Sequence, residues 1–277
     1  MDDLISKIFK AHLNCPKCPS TKVIHSFFEE LLSLLFPEFA SQPLATKEQI
    51  DDKLSQLRTT LYDLLRQNPQ LHGGNAELIT EAFNNGLSRV FDCIHEDVEA
   101  MYAGDPAARS KTEIIRSYPG FFAIAAYRIA HLLHIQGVML IPRMITELAH
   151  SRTGIDIHPG AKIGHRFCID HGTGVVIGET AFIGDDVKIY QGVTLGALSV
   201  DKIDADVKRH PTIENHVVIY AGATILGGDT VIGARSVVGG NVWLTKSIPA
   251  DSKIYYQAKM YNADADTTDL FILKSGS

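Results

Sequence analysis

Residues 155–196 read IDIHPGAKIGHRFCIDHGTGVVIGETAFIGDDVKIYQGVTLG, and an aliphatic residue recurs in this stretch every six positions. The spacing returns further along the chain, so that three runs share it: Ile157, Ile163, Ile169 and Val175; Ile177, Ile183, Ile189 and Leu195; and Ile213, Ile219, Ile225, Val231, Val237 and Trp243. A helix repeats after about 3.6 residues and a strand after about two, so neither element requires a spacing of six.

A six-residue repeat predicts a parallel β-helix, in which three hexads complete one triangular coil. Each aliphatic anchor points inward and stacks on the next coil, while small residues fit the corners. The fourteen anchors suffice for roughly four to five coils, with Trp243 as the end cap of the core. We expect the polar insertion 197–210 to project from the coils as a functional loop. The alternative is fortuitous spacing in a β-sandwich.

Helical stripes precede the hexads. They predict a helical domain over 1–150, followed by a β-helix domain over 151–250 and a C-terminal tail over 251–277. Thr46 and Gln49 have the spacing of a capping box. Four apolar stripes are expected to pack as a bundle: Phe27, Leu31, Leu34 and Leu35; Leu54, Leu57, Leu61, Leu64 and Leu65; Leu78, Phe83, Leu87, Val90 and Ile94; and Phe121, Ile124, Ala125, Ile129 and Leu132.

The composition excludes several classes of protein. The 277 residues are 45% hydrophobic and 21% charged, which excludes wholesale disorder. The net charge of −6, without a long basic run, argues against nucleic acid and anionic membranes as partners. No apolar stretch reaches the roughly 20 residues of a membrane span, and the acidic start does not look like a signal peptide. Four cysteines make no disulfide framework, so we expect a cytoplasmic protein.

Several strings in the chain resemble the serine O-acetyltransferases of the hexapeptide-repeat family. They are IDIHP at 155–159, IDHGTG at 169–174, GET at 178–180, QGVTLG at 191–196 and RHP at 209–211, with GDPA at 104–107 and AYRIAH at 126–131 upstream. The resemblance implies an α+β protein, in which an N-terminal helical bundle precedes a left-handed β-helix. It also implies acetyl transfer from acetyl-CoA to the hydroxyl of L-serine, which gives O-acetylserine and CoA on the route to cysteine.

The resemblance assigns a role to individual residues. His171 matches the general base, which suits an imidazole with an ordinary pKa of about 6.5, and Asp156 matches the carboxylate that orients it. The serine hydroxyl would attack directly, without an acyl-enzyme. Arg209 would hold the substrate carboxylate as a two-pronged donor. Three more positions match the substrate site, with carboxylates for the ammonium group and an imidazole near the side chain: Asp105, Asp170 and His210.

The CoA positions carry fainter signals, because that family binds CoA mostly through backbone and apolar contacts. The matching positions are Gly196, Ala197, Ala221, Gly222, Gly239, Gly240 and Lys259. Ala197 stands where the family usually has Gly. Residues 254–259 also depart from the usual string after the last coil, which leaves Lys259 as the weakest assignment.

The resemblance also implies an assembly, with a homotrimer whose active sites lie in the grooves between β-helices, alone or as a dimer of trimers. Acetyl-CoA would be the co-substrate, and no metal is expected. Relatives dock a tail ending in Ile into O-acetylserine sulfhydrylase. The last residue here is Ser277, so support for that partner is weak. Inhibition by cysteine is a hypothesis, since cysteine is serine with sulfur in place of oxygen.

Three other functions remain open from the sequence. Another hexapeptide acyltransferase would use a sugar or amine acceptor, and a non-catalytic trimer would serve as a scaffold. A zinc enzyme that hydrates carbon dioxide would use histidines six residues apart: His165 with His171, and His210 with His216, with His158 nearby. The Cys15-x-x-Cys18 pair is interpreted as a reduced pair, since a zinc site wants four ligands.

Overall fold

The computed structural model describes residues 1–14, 18–198, 207–260 and 266–274. Its first half is helical, as predicted. The α-helices are α1 (Asp2–Leu13), α2 (Thr21–Leu35), α3 (Lys47–Gln67), α4 (Ala76–Gly104), α5 (Lys111–Ser117), α6 (Pro119–His134) and α7 (Ile141–Thr153), with short 3-10 turns at Pro37–Phe39 and Pro69–Leu71. No helix among the described residues is both long and apolar enough to cross a membrane.

The predicted helix signals are confirmed in α3 and corrected in α4. The Thr46 hydroxyl accepts the Gln49 amide at 3.2 Å, and the Gln49 side chain accepts the Thr46 amide at 3.3 Å, which is a capping box. Leu78 was predicted to face the core, and this is wrong because it is 64% exposed. The buried stripe of α4 starts instead at Ile79, which lies four residues before the buried Phe83 and therefore on the same face.

The second half is a parallel β-solenoid of about five turns, which confirms the predicted β-helix. Its strands are β1 (Asp156–Ile157), β2 (Lys162–Ile163), β3 (Cys168–Asp170), β4 (Val176–Ile177), β5 (Phe182–Ile183), β6 (Lys188–Tyr190), β7 (Thr194–Gly196), β8 (Thr212–Ile213), β9 (Val218–Ile219), β10 (Thr224–Leu226), β11 (Val231–Ile232), β12 (Val237–Val238), β13 (Trp243–Leu244), β14 (Ser252–Met260) and β15 (Asp266–Lys274).

The strands form three sheets, one on each side of the triangular coil. The first sheet has the order β1-β4-β7-β10-β13, the second β11-β8-β5-β2, and the third β15-β14-β12-β9-β6-β3. The predicted tail begins with β14, which pairs in parallel with β12, and β15 then pairs with β14 antiparallel. The region after residue 251 therefore extends the third sheet.

The anchor assignments are right through Ile225 with one exception, and wrong beyond it. Val231, Val237 and Trp243 face outward, with Trp243 59% exposed, and their neighbours Ile232, Val238 and Leu244 are the buried anchors. The step from Ile225 to Ile232 spans seven residues, because the corner at Gly227 and Gly228 holds one extra residue. A side chain at Gly228 would lie 2.0 Å from the Lys208 carbonyl, where the chain returns from the insertion. Trp243 is therefore not an end cap.

The exception is Val175, which lies two residues before the true anchor Ile177. It is fully buried, in the corner position that Val193 and Ala223 occupy in later coils. The corner between Ile169 and Ile177 is two residues longer than a regular six-residue step. The predicted general base, His171, lies in this longer corner.

The helical half packs directly on the first coil, and both share one apolar core. Buried Arg128 on α6 donates to Asp97 on α4 and to the carbonyls of Ile163 and Gly164 in the solenoid. A Cβ at Gly120 would lie 2.5 Å from the Ile169 carbonyl, so α6 approaches β3 as closely as backbones allow. Together these contacts hold α4 and α6 against the first coil, and the candidate site lies where α4 ends beside that coil.

Candidate active site

His171 lies at the corner that joins the third sheet to the first, directly after β3; we call this the first corner. Its φ of +57° is left-handed, as is the φ of +57° at Asn241 in a later turn of the same corner. The side chain is 74% exposed in the single chain, and its Nε2 lies 3.8 Å from Asp170 Oδ1. The imidazole is thus presented outward on a rigid backbone, where a neighbouring surface can cover it.

The carboxylates of Asp105 and Asp170 lie near His171, and Lys188 connects the backbone next to Asp105 with the carboxylate of Asp170. The Lys188 ammonium lies 2.9 Å from Asp170 Oδ2 and donates to the Gly104 carbonyl at 2.7 Å, immediately before Asp105. It also lies 4.5 Å from the centroid of the Tyr190 ring. Burial lowers the Lys188 pKa, but the Tyr190 and Asp170 contacts outweigh it and the net shift is upward. Lys188 therefore stays charged and ties α4 to β3.

Asp105 is the residue that caps the C-terminus of α4, and its carboxylate has defined donors. Oδ2 accepts the Tyr118 hydroxyl at 2.5 Å, and Oδ1 accepts the Ala107 amide at 2.8 Å. These hydrogen bonds, Tyr118 first, lower the pKa of Asp105, and the same contact raises the pKa of Tyr118 to about 12. Asp105 is consequently an ionised carboxylate near His171, as an ammonium site requires.

Asp156 lies at the start of β1, on the sheet that the first corner leads into. Its carboxylate contacts Arg143 of α7, with Oδ1 3.2 Å from Nη1. Among the described residues, its ion pair is with Arg143, whereas the contact of His171 is with Asp170. The predicted pairing of Asp156 with His171 stays a prediction.

Arg209 and His210 lie at a different place, the second corner, which joins the first sheet to the second. The Arg209 guanidinium pairs with Glu179, and its backbone N–H donates to the Thr180 hydroxyl at 2.9 Å. The His210 backbone N–H donates to the same hydroxyl at 3.0 Å, and the Thr180 N–H donates to His210 Nδ1 at 3.1 Å. Glu179 and Thr180 therefore hold both predicted substrate residues in place.

His210 is packed into this corner as a neutral ring. It is 8% exposed, and burial lowers its pKa to about 4, with the nearby Arg209 charge lowering it further. A Cβ at Gly178 would lie 1.9 Å from the ring, so only glycine leaves room for it. Because Nδ1 accepts the Thr180 N–H, the ring proton lies on Nε2.

The comparisons with known proteins agree on one family. The chain is 45% identical over 259 residues to a plasmid-encoded serine acetyltransferase of Synechococcus elongatus, covering 85% of this chain and 81% of the relative. Serine acetyltransferase isoform 3 of Entamoeba histolytica, solved in complex with cysteine, superimposes with a TM-score of 0.75 at 39% identity, over 86% of this chain and 83% of that one. This chain belongs to the serine acetyltransferase family. No family model matches it.

Two further relatives are also serine acetyltransferases. A serine acetyltransferase of Helicobacter pylori is 54% identical over 125 residues, or 45% of this chain and 71% of the relative. A serine acetyltransferase solved in complex with CoA superimposes with a TM-score of 0.59 at 30% identity, over 84% of this chain and 94% of that one.

The positions that match the CoA site of serine acetyltransferases divide between the two corners. Gly196 ends β7 and Ala197 follows it at the second corner, whereas the others follow β9 and β12 at the first corner: Ala221, Gly222, Gly239 and Gly240. A Cβ at Gly222 would lie 2.3 Å from Asn241 Oδ1, and one at Gly239 would lie 2.8 Å from the Ile254 carbonyl. These glycines therefore serve the close stacking of the coils. For Lys259, only its backbone place in β14 is described.

Four residues that contact the predicted site residues received no role from the sequence of this serine acetyltransferase, although the second and third of them lie in the quoted GET string: Tyr118, Glu179, Thr180 and Lys188. The signal for Lys188 lay in the repeat, because β6 pairs with β3 so that Lys188 is opposite Cys168, two residues from Asp170. Cys168 is 5% exposed and burial raises its pKa to about 12, so it is a wall residue rather than a nucleophile. Cys15 lies outside the described residues, and Cys18 is an exposed free thiol.

The histidines weighed for zinc make separate contacts in the described structure. His165 pairs with Glu96, His216 lies 3.8 Å from Asp186, and His210 contacts Thr180. These histidines are therefore held by different partners.

Proposed function

We propose that this chain transfers the acetyl group of acetyl-CoA to the hydroxyl of L-serine, with His171 as the general base. The observation that carries the proposal is the group of ionised side chains around His171, together with a cationic fork and a neutral imidazole on a second corner of the same solenoid. An amino-acid zwitterion needs an anion and a cation, whereas a sugar acceptor needs neither. The charged groups therefore favour serine over a sugar as the acceptor.

The reaction needs no group beyond these residues and the two substrates. His171 accepts the hydroxyl proton as serine Oγ attacks the thioester carbonyl carbon, and a tetrahedral intermediate forms. The C–S bond then breaks, and the imidazolium returns the proton to the CoA thiolate. Asp105 and Asp170 hold the ammonium group and Arg209 the carboxylate. We assign Asp156 to the orientation of His171 and His210 Nε2–H to the substrate side.

We further propose that the site is assembled between subunits of a homotrimer. Among the described residues, His171 contacts Asp170 at the first corner, whereas Arg209 contacts Glu179 and His210 contacts Thr180 at the second corner. The exposed His171 can be covered by the second corner of a neighbouring solenoid, and a cyclic trimer repeats that contact three times. The CoA positions, which divide between the same two corners, support this arrangement. Free thiols at Cys93 and Cys168 support a cytoplasmic location.

The proposal is tested by following CoA-thiol release from acetyl-CoA with L-serine. We expect serine-dependent release that falls by about 10²-fold or more in His171→Ala, as loss of a general base predicts. His216→Ala is the matched control, because His216 also has a left-handed φ of +60° and also lies 3.8 Å from a carboxylate. Release with a sugar and none with serine would overturn the proposed acceptor. Equal loss in both variants would overturn His171 as the base.

A further inference from the structure

A cavity of about 520 Å³ lies between the helical half and the second sheet, away from both corners of the proposed active site. Val90, Leu132 and Ile183 are among its apolar lining residues. Cys93 of α4 and His165 of the turn after β2 also line it, and the Cys93 Sγ lies 3.9 Å from His165 Nδ1. Glu96 Oε2 lies 2.6 Å from the same nitrogen.

These three side chains offer a thiol, an imidazole and a carboxylate, which are the ligand types of Zn²⁺. The ligand atoms all lie within 4.8 Å of one another. In a tetrahedral zinc site, bond lengths of about 2.3 Å to sulfur and about 2.0 Å to nitrogen place those two atoms about 3.5 Å apart. The observed 3.9 Å needs only a small contraction. The Glu96 oxygen would move outward by less than about 1 Å, because an oxygen and a nitrogen ligand lie about 3.3 Å apart.

The backbone fixes the relative positions of the three residues. Cys93 and Glu96 are three residues apart in α4 and so share one face. The His165 N–H donates to Asp185 Oδ1 at 2.7 Å, and the carbonyl of the preceding Gly164 accepts Arg128 at 2.6 Å. Both sides of the cluster are therefore anchored without any contribution from the three ligand atoms.

We propose that Cys93, Glu96 and His165 bind one Zn²⁺ ion, with the fourth position open to a water molecule or small ligand on the cavity side. Because cysteine binds zinc as a thiolate, the thiol proton is released when the ion binds. The bound ion would connect α4 to the first coil of the solenoid. It is outside the acetyl-transfer site and takes no part in that reaction.

A second cluster of possible metal ligands is less suited to bind a cation. Glu147, His150 and Asp156 also bring their ligand atoms within 4.8 Å, but the Arg143 guanidinium pairs with both carboxylates. A cation therefore already occupies that cluster, and it offers no sulfur. His150 makes a suitable control for His165.

The test uses Co²⁺ as a spectroscopic probe for zinc in the full-length chain. The background carries Cys15→Ser and Cys18→Ser, which removes the N-terminal thiol pair as a competitor. We expect one Co²⁺ per chain and a thiolate-to-cobalt charge-transfer band that Zn²⁺ abolishes. Cys93→Ser removes the band. His165→Asn and Glu96→Gln weaken Zn²⁺ binding by about tenfold or more, in the range known for lost metal contacts.

His150→Asn should leave the stoichiometry and the band unchanged. Because Glu96 and His165 are about half exposed, their variants keep the test open even if Cys93→Ser folds poorly. No stoichiometric binding in the background variant, or a band that survives Cys93→Ser, would overturn the proposal. Loss of binding in His150→Asn with retention in His165→Asn would overturn it equally.

Discussion

The first and second corners of the solenoid are built in opposite ways. At the first corner, His171 is 74% exposed and is surrounded by charges supplied by α4 and by the neighbouring coil. At the second corner, His210 is 8% exposed, and Arg209 is held by Glu179 within the same corner. The first corner presents an exposed imidazole, the proposed base, among charged groups, whereas the second presents residues that are held by contacts within the corner.

Under the proposed trimer, this difference would let one chain carry both halves of a site that it does not close by itself. The proposed base would need only to be exposed to the neighbouring subunit. The groups proposed to recognise the carboxylate would need a pre-organised orientation, which the contacts of Arg209 and His210 with Glu179 and Thr180 supply within one chain. Variants at one corner should therefore affect different kinetic constants from variants at the other.

The largest expected effect follows from the division between subunits. His171→Ala and Arg209→Ala should each lower kcat/KM by about 10²-fold or more. When the two variants are refolded together in equal amounts, about a quarter of the intersubunit sites combine an intact His171 with an intact Arg209. We expect thiol release to recover to about a quarter of the wild-type rate, measured at fixed total protein.

The control for this experiment pairs two variants of the same corner. His171→Ala mixed with Asp170→Asn leaves every intersubunit site with a defect at the first corner, so no comparable recovery is expected. If the first mixture also fails to recover while mixed trimers are present, the two corners act within one chain and the comparison is wrong.

The sequence predicted most of the first corner because its spacing is local to the repeat. The anchors through Ile225, apart from Val175, keep the six-residue spacing within each run and were therefore readable from the sequence. The register failed after Gly227 because the later strands offer two apolar neighbours, such as Val231 with Ile232 and Val237 with Val238. With both residues apolar, a one-residue insertion leaves no trace in the pattern.

The site residues show the same difference between what local sequence predicts and what depends on the fold. Asp105, Asp170 and His171 come together as expected, but the lysine between them was missed, because residues stacked across coils are twenty positions apart in sequence. The place of Arg209 relative to His171 depends on which corner each occupies, and that follows from strand order rather than from a motif. Residues 199–206 of the predicted insertion 197–210 lie outside the described residues, so its projection from the coils stays a prediction.

Lys188→Met should raise the KM for serine by about tenfold, because Asp170 and the end of α4 lose their shared cation. The KM for acetyl-CoA should stay within about twofold, and Lys188→Arg should restore part of the loss. Lys253→Met is the matched control, since Lys253 occupies the same column of the third sheet through Val237 and Val218. Combining Lys188→Met with Asp170→Asn should add little, as expected if the lysine acts through that carboxylate.

An unchanged serine KM in Lys188→Met would remove this lysine from substrate positioning. A parallel rise in both KM values, together with a lower Tm, would reduce it to a packing residue.

Tyr118→Phe should have a smaller effect at the same corner. The Asp105 carboxylate loses the hydroxyl that lowers its pKa, but it keeps the Ala107 amide. Because Asp105 remains ionised at pH 7, we expect the serine KM to rise only about threefold, a difference well under 1.4 kcal/mol. At pH 5 the difference from wild type should widen, since a higher Asp105 pKa brings protonation closer. A profile that is parallel to wild type from pH 5 to pH 8 would argue against this role.

The last prediction concerns stability at the second corner rather than activity. The folded pKa of His210 is about 4, below the ordinary value of about 6.5, so between these two values the unfolded chain binds more protons. Stability from the neutral ring is therefore complete above about pH 6.5 and is lost as the pH falls towards 4. We expect His210→Asn to reduce the loss of unfolding free energy between pH 7 and pH 5 by about 2 kcal/mol, measured by urea unfolding at fixed chain concentration. His216→Asn, at an exposed ring, should leave that slope as in wild type. Equal slopes for all three proteins would mean that burial does not keep His210 neutral, and the two corners would then differ less than their geometry indicates.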